Sequence, residues 1–153
     1  MIQPGKKAPA LDIPDQDGNM VTLKEFAGKK LVLFFYPKDS TPGCTMESCN
    51  LRDNYSALVK MGFEVIGVSA DSAKRHQNFI AKNQLPYRLL ADTEKKVISA
   101  YGVWGAKKMF GVPYEGILRT TFIINESGVV EHVISDVKVK DHTSQIVNLY
   151  KNK

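Results

Sequence analysis

The chain has 153 residues, 43% hydrophobic and 24% charged, with a formal charge of +5. That length suits one domain, spanning 1–153, whose core needs no disulfide or metal staple, and that composition excludes disorder, collagen-like repeats and disulfide-rich scaffolds. The excess charge is dispersed in ones and twos, at Lys6-Lys7, Lys29-Lys30, Lys95-Lys96 and Lys107-Lys108, which favours solubility over a nucleic-acid tract or a membrane-binding surface.

The N-terminal stretch MIQPGKKAPALDIPD has two lysines but no apolar segment behind them, so it does not read as a secretory signal. Leu11 to Leu23 alternates loosely around Pro14-Asp15-Gln16-Asp17-Gly18-Asn19 and predicts a hairpin with a polar turn. Leu31 to Tyr36 is continuously apolar, as in a central strand covered on both faces, and Pro37 ends it. This run is the longest of its kind and falls far short of the roughly 20 residues of a membrane span. A cytoplasmic location is therefore expected, where thiols stay reduced.

Further strands are predicted over Phe63 to Ser69 and Tyr87 to Ala91. Helical periodicity covers Thr45 to Met61, Ser72 to Asn83 after an Asp71 cap, and Glu94 to Tyr101 after Asp92-Thr93. Arg119 to Asn125 and Val129 to Ser135 flank Glu126-Ser127-Gly128 and predict an antiparallel hairpin, with a last helix over Lys140 to Tyr150. A parallel core, an antiparallel edge hairpin and helices on both faces make an α/β chain with the mixed sheet of thioredoxin-like domains.

The only two cysteines, Cys44 and Cys49, stand in FFYPKDSTPGCTMESCN. Cys44 falls in the first helical turn, where unpaired backbone N–H groups and the helix dipole favour an anion such as a thiolate, and cysteine pKa values there drop from about 8.5 to roughly 3.5–7.5. At about 100° per residue, Cys44 and Ser48 share the apolar side of Leu51, Tyr55 and Leu58, while Cys49 lies roughly 140° round, towards Asp53 and Lys60. A five-residue step in an intact helix separates Cα atoms by about 8–9 Å, beyond the roughly 7 Å limit for a disulfide. The pair can bond only if the helix start unwinds, which suits a transient bond. The same placement also fits a small buried residue at 44 and an incidental surface one at 49.

The run Pro37-Lys38-Asp39-Ser40-Thr41-Pro42-Gly43-Cys44 matches the Pro-x-x-x-Thr-x-x-Cys motif of peroxiredoxins. Its continuation through Thr45, Glu47 and Cys49, with GVSADS, LLADTEKKVISAYGVWG and LRTTFIINESG in order behind it, resembles the bacterioferritin comigratory protein, or peroxiredoxin Q, subfamily. The resemblance implies a thiol peroxidase on a thioredoxin fold that reduces hydrogen peroxide and organic hydroperoxides without metal, haem or flavin. It implies a peroxidatic role for Cys44, with Pro37, Thr41 and Arg119 as its active-site partners. Cys49 takes the resolving position, implying an intramolecular disulfide recycled by thioredoxin or a similar thiol donor, in a monomer.

From its residue type alone, Arg119 reads as a surface strand residue, Thr41 as a turn residue and Pro37 as a strand terminator. Glu47, one turn after Cys44, opposes a thiolate by like-charge repulsion; it reads either as the partner of an arginine or as an exposed helix carboxylate. His76 and the other two histidines are expected on solvated faces, Trp104 and Met109 in packing. No metal-ligand spacing is present. Two rivals keep the same cysteines: a thiol-disulfide oxidoreductase, which lacks its usual Cys-x-x-Cys here, and a redox sensor that reacts stoichiometrically.

Overall fold

The computed structural model describes residues 1–151; the last two positions of the domain expected over 1–153 lie outside the described residues. The N-terminal hairpin forms as two short strands, β1 (Ile13–Pro14) and β2 (Met20–Val21), with the Asp15 carboxylate closing the turn by accepting from the N–H groups of Asp17 and Asn19. There follow β3 (Lys30–Phe35), α1 (Pro42–Asp53), α2 (Tyr55–Lys60), β4 (Phe63–Ser69), α3 (Ala73–Asn83), β5 (Arg88–Ala91) and α4 (Lys96–Tyr101). A hairpin of β6 (Trp104–Met109) and β7 (Val112–Ile117) precedes β8 (Thr120–Ile124), β9 (Val130–Ile134) and α5 (His142–Asn148).

Five strands form the central sheet in the order β5-β4-β3-β8-β9, parallel between β3, β4 and β5 and antiparallel between β3, β8 and β9. Strand side chains alternate faces. On β3, Leu31, Leu33 and Phe35 therefore pack on one side with Val97, Ile98 and Tyr101 of α4, while Val32, Phe34 and, just past the strand, Tyr36 pack on the other with Leu51, Leu58, Phe79 and Ile146 from α1, α2, α3 and α5. Burial on both sides is why β3 is apolar at every position instead of every second one. Gly67 of β4 belongs to this packing, since a Cβ there would stand 2.7 Å from Leu89 and 2.8 Å from the Phe34 ring. Among the described residues no helix is long and apolar enough to cross a membrane.

Three helices differ from the periodicity. The helix expected over Thr45 to Met61 begins earlier, with Pro42 in the first turn after Thr41, because proline's missing N–H has no partner to lose there. It breaks at Asn54 (φ −113°, ψ 8°), whose side-chain amide donates to the Asn50 carbonyl and competes with the helical ladder. Ser72, not Asp71, caps α3 by accepting from the Arg75 N–H; Asp71 is committed to Asp39 and Ser69. Helix α4 starts at Lys96 because Lys95 is left-handed (φ 59°), with Asp92 accepting from the N–H groups of Lys96 and Ile98.

Candidate active site

The segment between β3 and α1 is pinned before it reaches Cys44. Tyr36, the residue after β3, donates to Asp39 Oδ1 at 2.5 Å, the Asp39 N–H donates to Asp71 Oδ2 at 2.8 Å, and His76 Nδ1 lies 2.6 Å from Asp39 Oδ2. Ser40 takes a left-handed conformation (φ 66°), and Thr41 then leads into the helix with its carbonyl accepting from the Thr45 N–H. Because that is the first bond of the helical ladder, the N–H groups of Gly43 and Cys44 have no intrahelical partner. Cys44 thus stands in the first turn, as expected, and is wholly buried.

Arg119 comes from 75 positions away. Antiparallel pairing of β3 with β8 sets Phe35 opposite Thr120, so the residue before β8 emerges at the same sheet edge as the residues after β3. Its guanidinium bridges two groups of α1: Nη2 donates to Cys44 Sγ at 3.3 Å and Nη1 to Glu47 Oε1 at 2.7 Å. Burial works against this cation, but its interactions and hydrogen bonds with Cys44 and Glu47 outweigh it and hold the guanidinium protonated. Gly43 makes room, since a Cβ there would stand 3.3 Å from Nη2. Glu47 is fully buried, and burial pushes its carboxyl up to about 7 despite the opposing pull of Arg119. Of the two readings open for Glu47, the structure selects the arginine partner.

Both cysteines are free thiols, Cys44 buried and Cys49 half-buried with its Sγ 3.7 Å from Asn83 Oδ1 of α3. Helix α1 is unbroken through both. The Thr41 hydroxyl donates to the Lys38 carbonyl at 2.8 Å, which leaves its oxygen free to accept. Pro37 and Thr41 line one wall of a mostly apolar groove of about 440 Å³; the opposite wall is Trp104, Met109, Tyr114 and Ile117 of the β6–β7 hairpin. That hairpin is absent from the sequence reading. Trp104 and Met109 are not packed inside, being 38% and 57% exposed. Trp104 is held at its edge by an indole N–H bond to Glu115 and by Lys95, whose Nζ sits 4.6 Å from the ring centre. Alternating tryptophan, glycine, alanine and lysine gives no strand-like apolar pattern, which is why the hairpin went unread; the only local signal is Phe110-Gly111 at its turn.

The histidines are also placed differently from expectation. His76 and His142 are fully buried and only His132 is partly exposed. Each buried ring has its polar atoms satisfied: His76 between Asp39 and the Leu90 carbonyl, His142 between Thr121 Oγ1 (2.7 Å) and Gln145 Oε1 (2.8 Å). Paired histidines suit an interior, and of their partners only Gln145, three residues from His142, is local in the chain. Asp39, Asp71 and His76 bring ligand-type atoms within 4.8 Å of one another, a cluster with no spacing signature in the sequence. Its atoms are already bonded to Tyr36, Ser69, Leu90 and Arg75.

A model of the AhpC/TSA family matches residues 4–133. The chain is 41% identical over 150 residues to the peroxiredoxin Bcp of Escherichia coli, covering 98% of this chain and 96% of that one. It is 43% identical over 151 residues to the peroxiredoxin Bcp of Bacillus subtilis, covering 99% and 96%. Among solved structures it is similar to the Xanthomonas campestris bacterioferritin comigratory protein, described for its alkyl peroxide reduction activity, with a TM-score of 0.87, 34% identity and 96% of each chain covered. The fold is the thioredoxin-like one of these proteins. With the family's model over most of its length and such relatives along nearly all of it, the chain belongs to the AhpC/TSA family, in the Bcp or peroxiredoxin Q group of thiol-dependent peroxidases.

Proposed function

We propose that a single domain carries out the peroxidase reaction with Cys44 as the peroxidatic nucleophile and Cys49 as the resolving thiol, acting as a cytoplasmic monomer on hydrogen peroxide and alkyl hydroperoxides. The observation that carries this reading is the Arg119 fork, one arm on Cys44 Sγ at 3.3 Å and the other on Glu47 at 2.7 Å. The Cys44 thiolate attacks one peroxide oxygen, its electron pair forms the S–O bond, and the O–O pair leaves with the second oxygen as alkoxide or hydroxide. Sulfur is oxidised to a sulfenic acid and the peroxide is reduced.

Ionisation alone is insufficient. A thiol of pKa about 8.5 is about 3% ionised at pH 7, so complete ionisation supplies at most roughly thirtyfold, or about 2 kcal/mol. The remainder comes from groups that hold the stretched O–O bond better than the intact one. Arg119 and the N–H groups of Gly43 and Cys44 face the developing charge, the Thr41 hydroxyl oxygen accepts from the peroxide O–H, and Pro37 limits water at the site. The apolar groove against Trp104 and Tyr114 receives an alkyl tail.

In the second half, the first turns of α1 unwind, the Cys49 thiol attacks the Cys44 sulfur, water leaves and a disulfide forms. Two electrons and two protons from thioredoxin or a similar dithiol restore both thiols. Stopped-flow peroxide reduction tests this reading: Cys44→Ser abolishes the reaction, whereas Cys49→Ser keeps the first oxidation and loses turnover with thioredoxin. Peroxide turnover retained by Cys44→Ser would overturn it, as would mass spectra that show no Cys44–Cys49 linkage in the monomer after one equivalent of peroxide.

A further inference from the structure

Beyond Arg119, the site continues into the protein through Glu47. Its Oε1 accepts from Arg119, but its Oε2 is buried with no hydrogen-bond partner. The atom facing that orphan oxygen is His142 Nε2, 3.6 Å away and outside hydrogen-bond range. The surrounding bonds decide what that nitrogen carries. Gln145 Nε2 donates to the Asp136 carbonyl and Gln145 Oε1 accepts from the Lys138 N–H, so Oε1 is the acceptor and His142 Nδ1 must donate to it. Burial and the Arg119 charge, against the Gln145 bond, hold His142 down to about 4, so the ring is neutral near pH 7. With the proton on Nδ1, Nε2 presents a lone pair and accepts from the Thr121 hydroxyl. Glu47 Oε2 therefore faces a lone pair and no donor.

A carboxylate oxygen in that position is unfavourable, because it is desolvated and has nothing to accept from. A protonated oxygen there is far less so, because a neutral carboxyl group loses much less than an anion when it is taken out of water. Burial favours the proton on Glu47 and the Arg119 charge opposes it. Glu47 is faced by Arg119 from the β8 edge, His142 from α5 and the Tyr87 phenol from the segment before β5, while Cys44 of the same helix faces Arg119 from the other side and Lys107 of β6 faces Arg119 and Cys44. Tyr87 donates to the Ser48 carbonyl and burial holds it neutral. In the interior of the site, one guanidinium stands between two groups that can each become an anion.

We propose that Cys44 and Glu47 share one proton across Arg119, and that the reactive form keeps it on Glu47 Oε2 while the Cys44 sulfur is ionised. The thiol form and the reactive form then differ only in where that proton sits, and the buried site bears no net charge change when the thiolate appears. In the reactive form the Arg119 charge belongs to the sulfur alone. Glu47 and His142 are positioning residues in this scheme, and the two ionisations belong to the pair.

This inference rests on Cys44 being the peroxidatic residue, yet its test does not depend on turnover. Infrared spectra report the protonated carboxyl group and ultraviolet absorbance reports the thiolate, both followed through a pH titration of the reduced protein. Glu47→Gln assigns the carboxyl band. In the wild type the thiolate is expected to appear while the Glu47 carboxyl band persists. In Cys44→Ser, with no sulfur anion competing for Arg119, loss of that band is expected to move to lower pH by about one unit or more. Should Glu47→Gln fail to fold, Cys44→Ser and Cys44→Ala assign the band through the shift itself. The proposal is overturned if the carboxyl band vanishes before the thiolate appears, or if neither Cys44 variant moves it. Either of those results with wild-type peroxidase intact refutes proton sharing alone, whereas retained turnover in Cys44→Ser refutes the assignment of Cys44.

Discussion

At the scale of single residues, Gly43 and Arg119 constrain one another. The guanidinium lies close over the hydrogen at the Gly43 side-chain position, where a Cβ would stand 3.3 Å from Nη2 and displace it by a few tenths of an ångström. Gly43→Ala is therefore expected to shift the fork slightly against the sulfur and slow peroxide reduction severalfold, up to about tenfold, in stopped-flow, with little change in the urea midpoint. Arg119→Lys keeps the charge but loses the fork, so one ammonium cannot serve Cys44 and Glu47 together. A loss of roughly a hundredfold in the rate of Cys44 oxidation is expected. A near-wild-type rate for Arg119→Lys would show that charge without fork geometry suffices.

At the scale of elements, α3 holds both ends of the segment that must unwind. His76 grips Asp39 ahead of Cys44, while seven residues on, Asn83 meets the Cys49 sulfur with its side chain and Arg52 with its carbonyl. His76→Asn takes the hydrogen-bond partner from a buried Asp39 oxygen and is expected to lower stability by about 2 kcal/mol in urea unfolding. It is also expected to speed the Cys44–Cys49 linkage relative to the first oxidation, because the N-terminal anchor is loosened; unchanged linkage kinetics would remove α3 from control of the cycle. The β6–β7 hairpin is the other element at work, since it supplies the outer wall of the groove. Trp104→Ala should raise KM severalfold for a bulky alkyl hydroperoxide and leave hydrogen peroxide little affected, as measured by steady-state peroxidase assays.

At the scale of the whole molecule, two buried groups tie stability to pH in opposite senses. The folded protein raises Glu47 from 4.5 to about 7, so that group's stabilisation is present below pH 4.5 and is lost as pH rises towards 7. His142 is lowered from 6.5 to about 4, so its contribution is present above pH 6.5 and is lost as pH falls towards 4. Each amounts to about 3 kcal/mol, and over their shared range the two slopes offset. His142→Leu removes one of them without offering Glu47 Oε2 a donor. Urea unfolding of that variant is expected to show stability falling with rising pH between about 4.5 and 7, where the wild type is nearly flat; a flat profile in the variant would contradict the placement of Glu47.

The origin of these features differs. The six-residue apolar run before Pro37, the turn Glu126-Ser127-Gly128 and the start of a helix near Cys44 are settled by neighbours in the chain, through side-chain alternation, turn chemistry and an unpaired helix terminus. They could be read without a fold. The burial of Glu47 and both inner histidines, and the meeting of Arg119 with Cys44, depend on which strand pairs with β3 and in which register. Residue order does not display that pairing, because a charged side chain at a protein surface and one buried beside its partner are spelled the same way. Only the packed sheet brings the arginine, carboxyl and sulfur within bonding distance, where desolvation makes one proton's position matter.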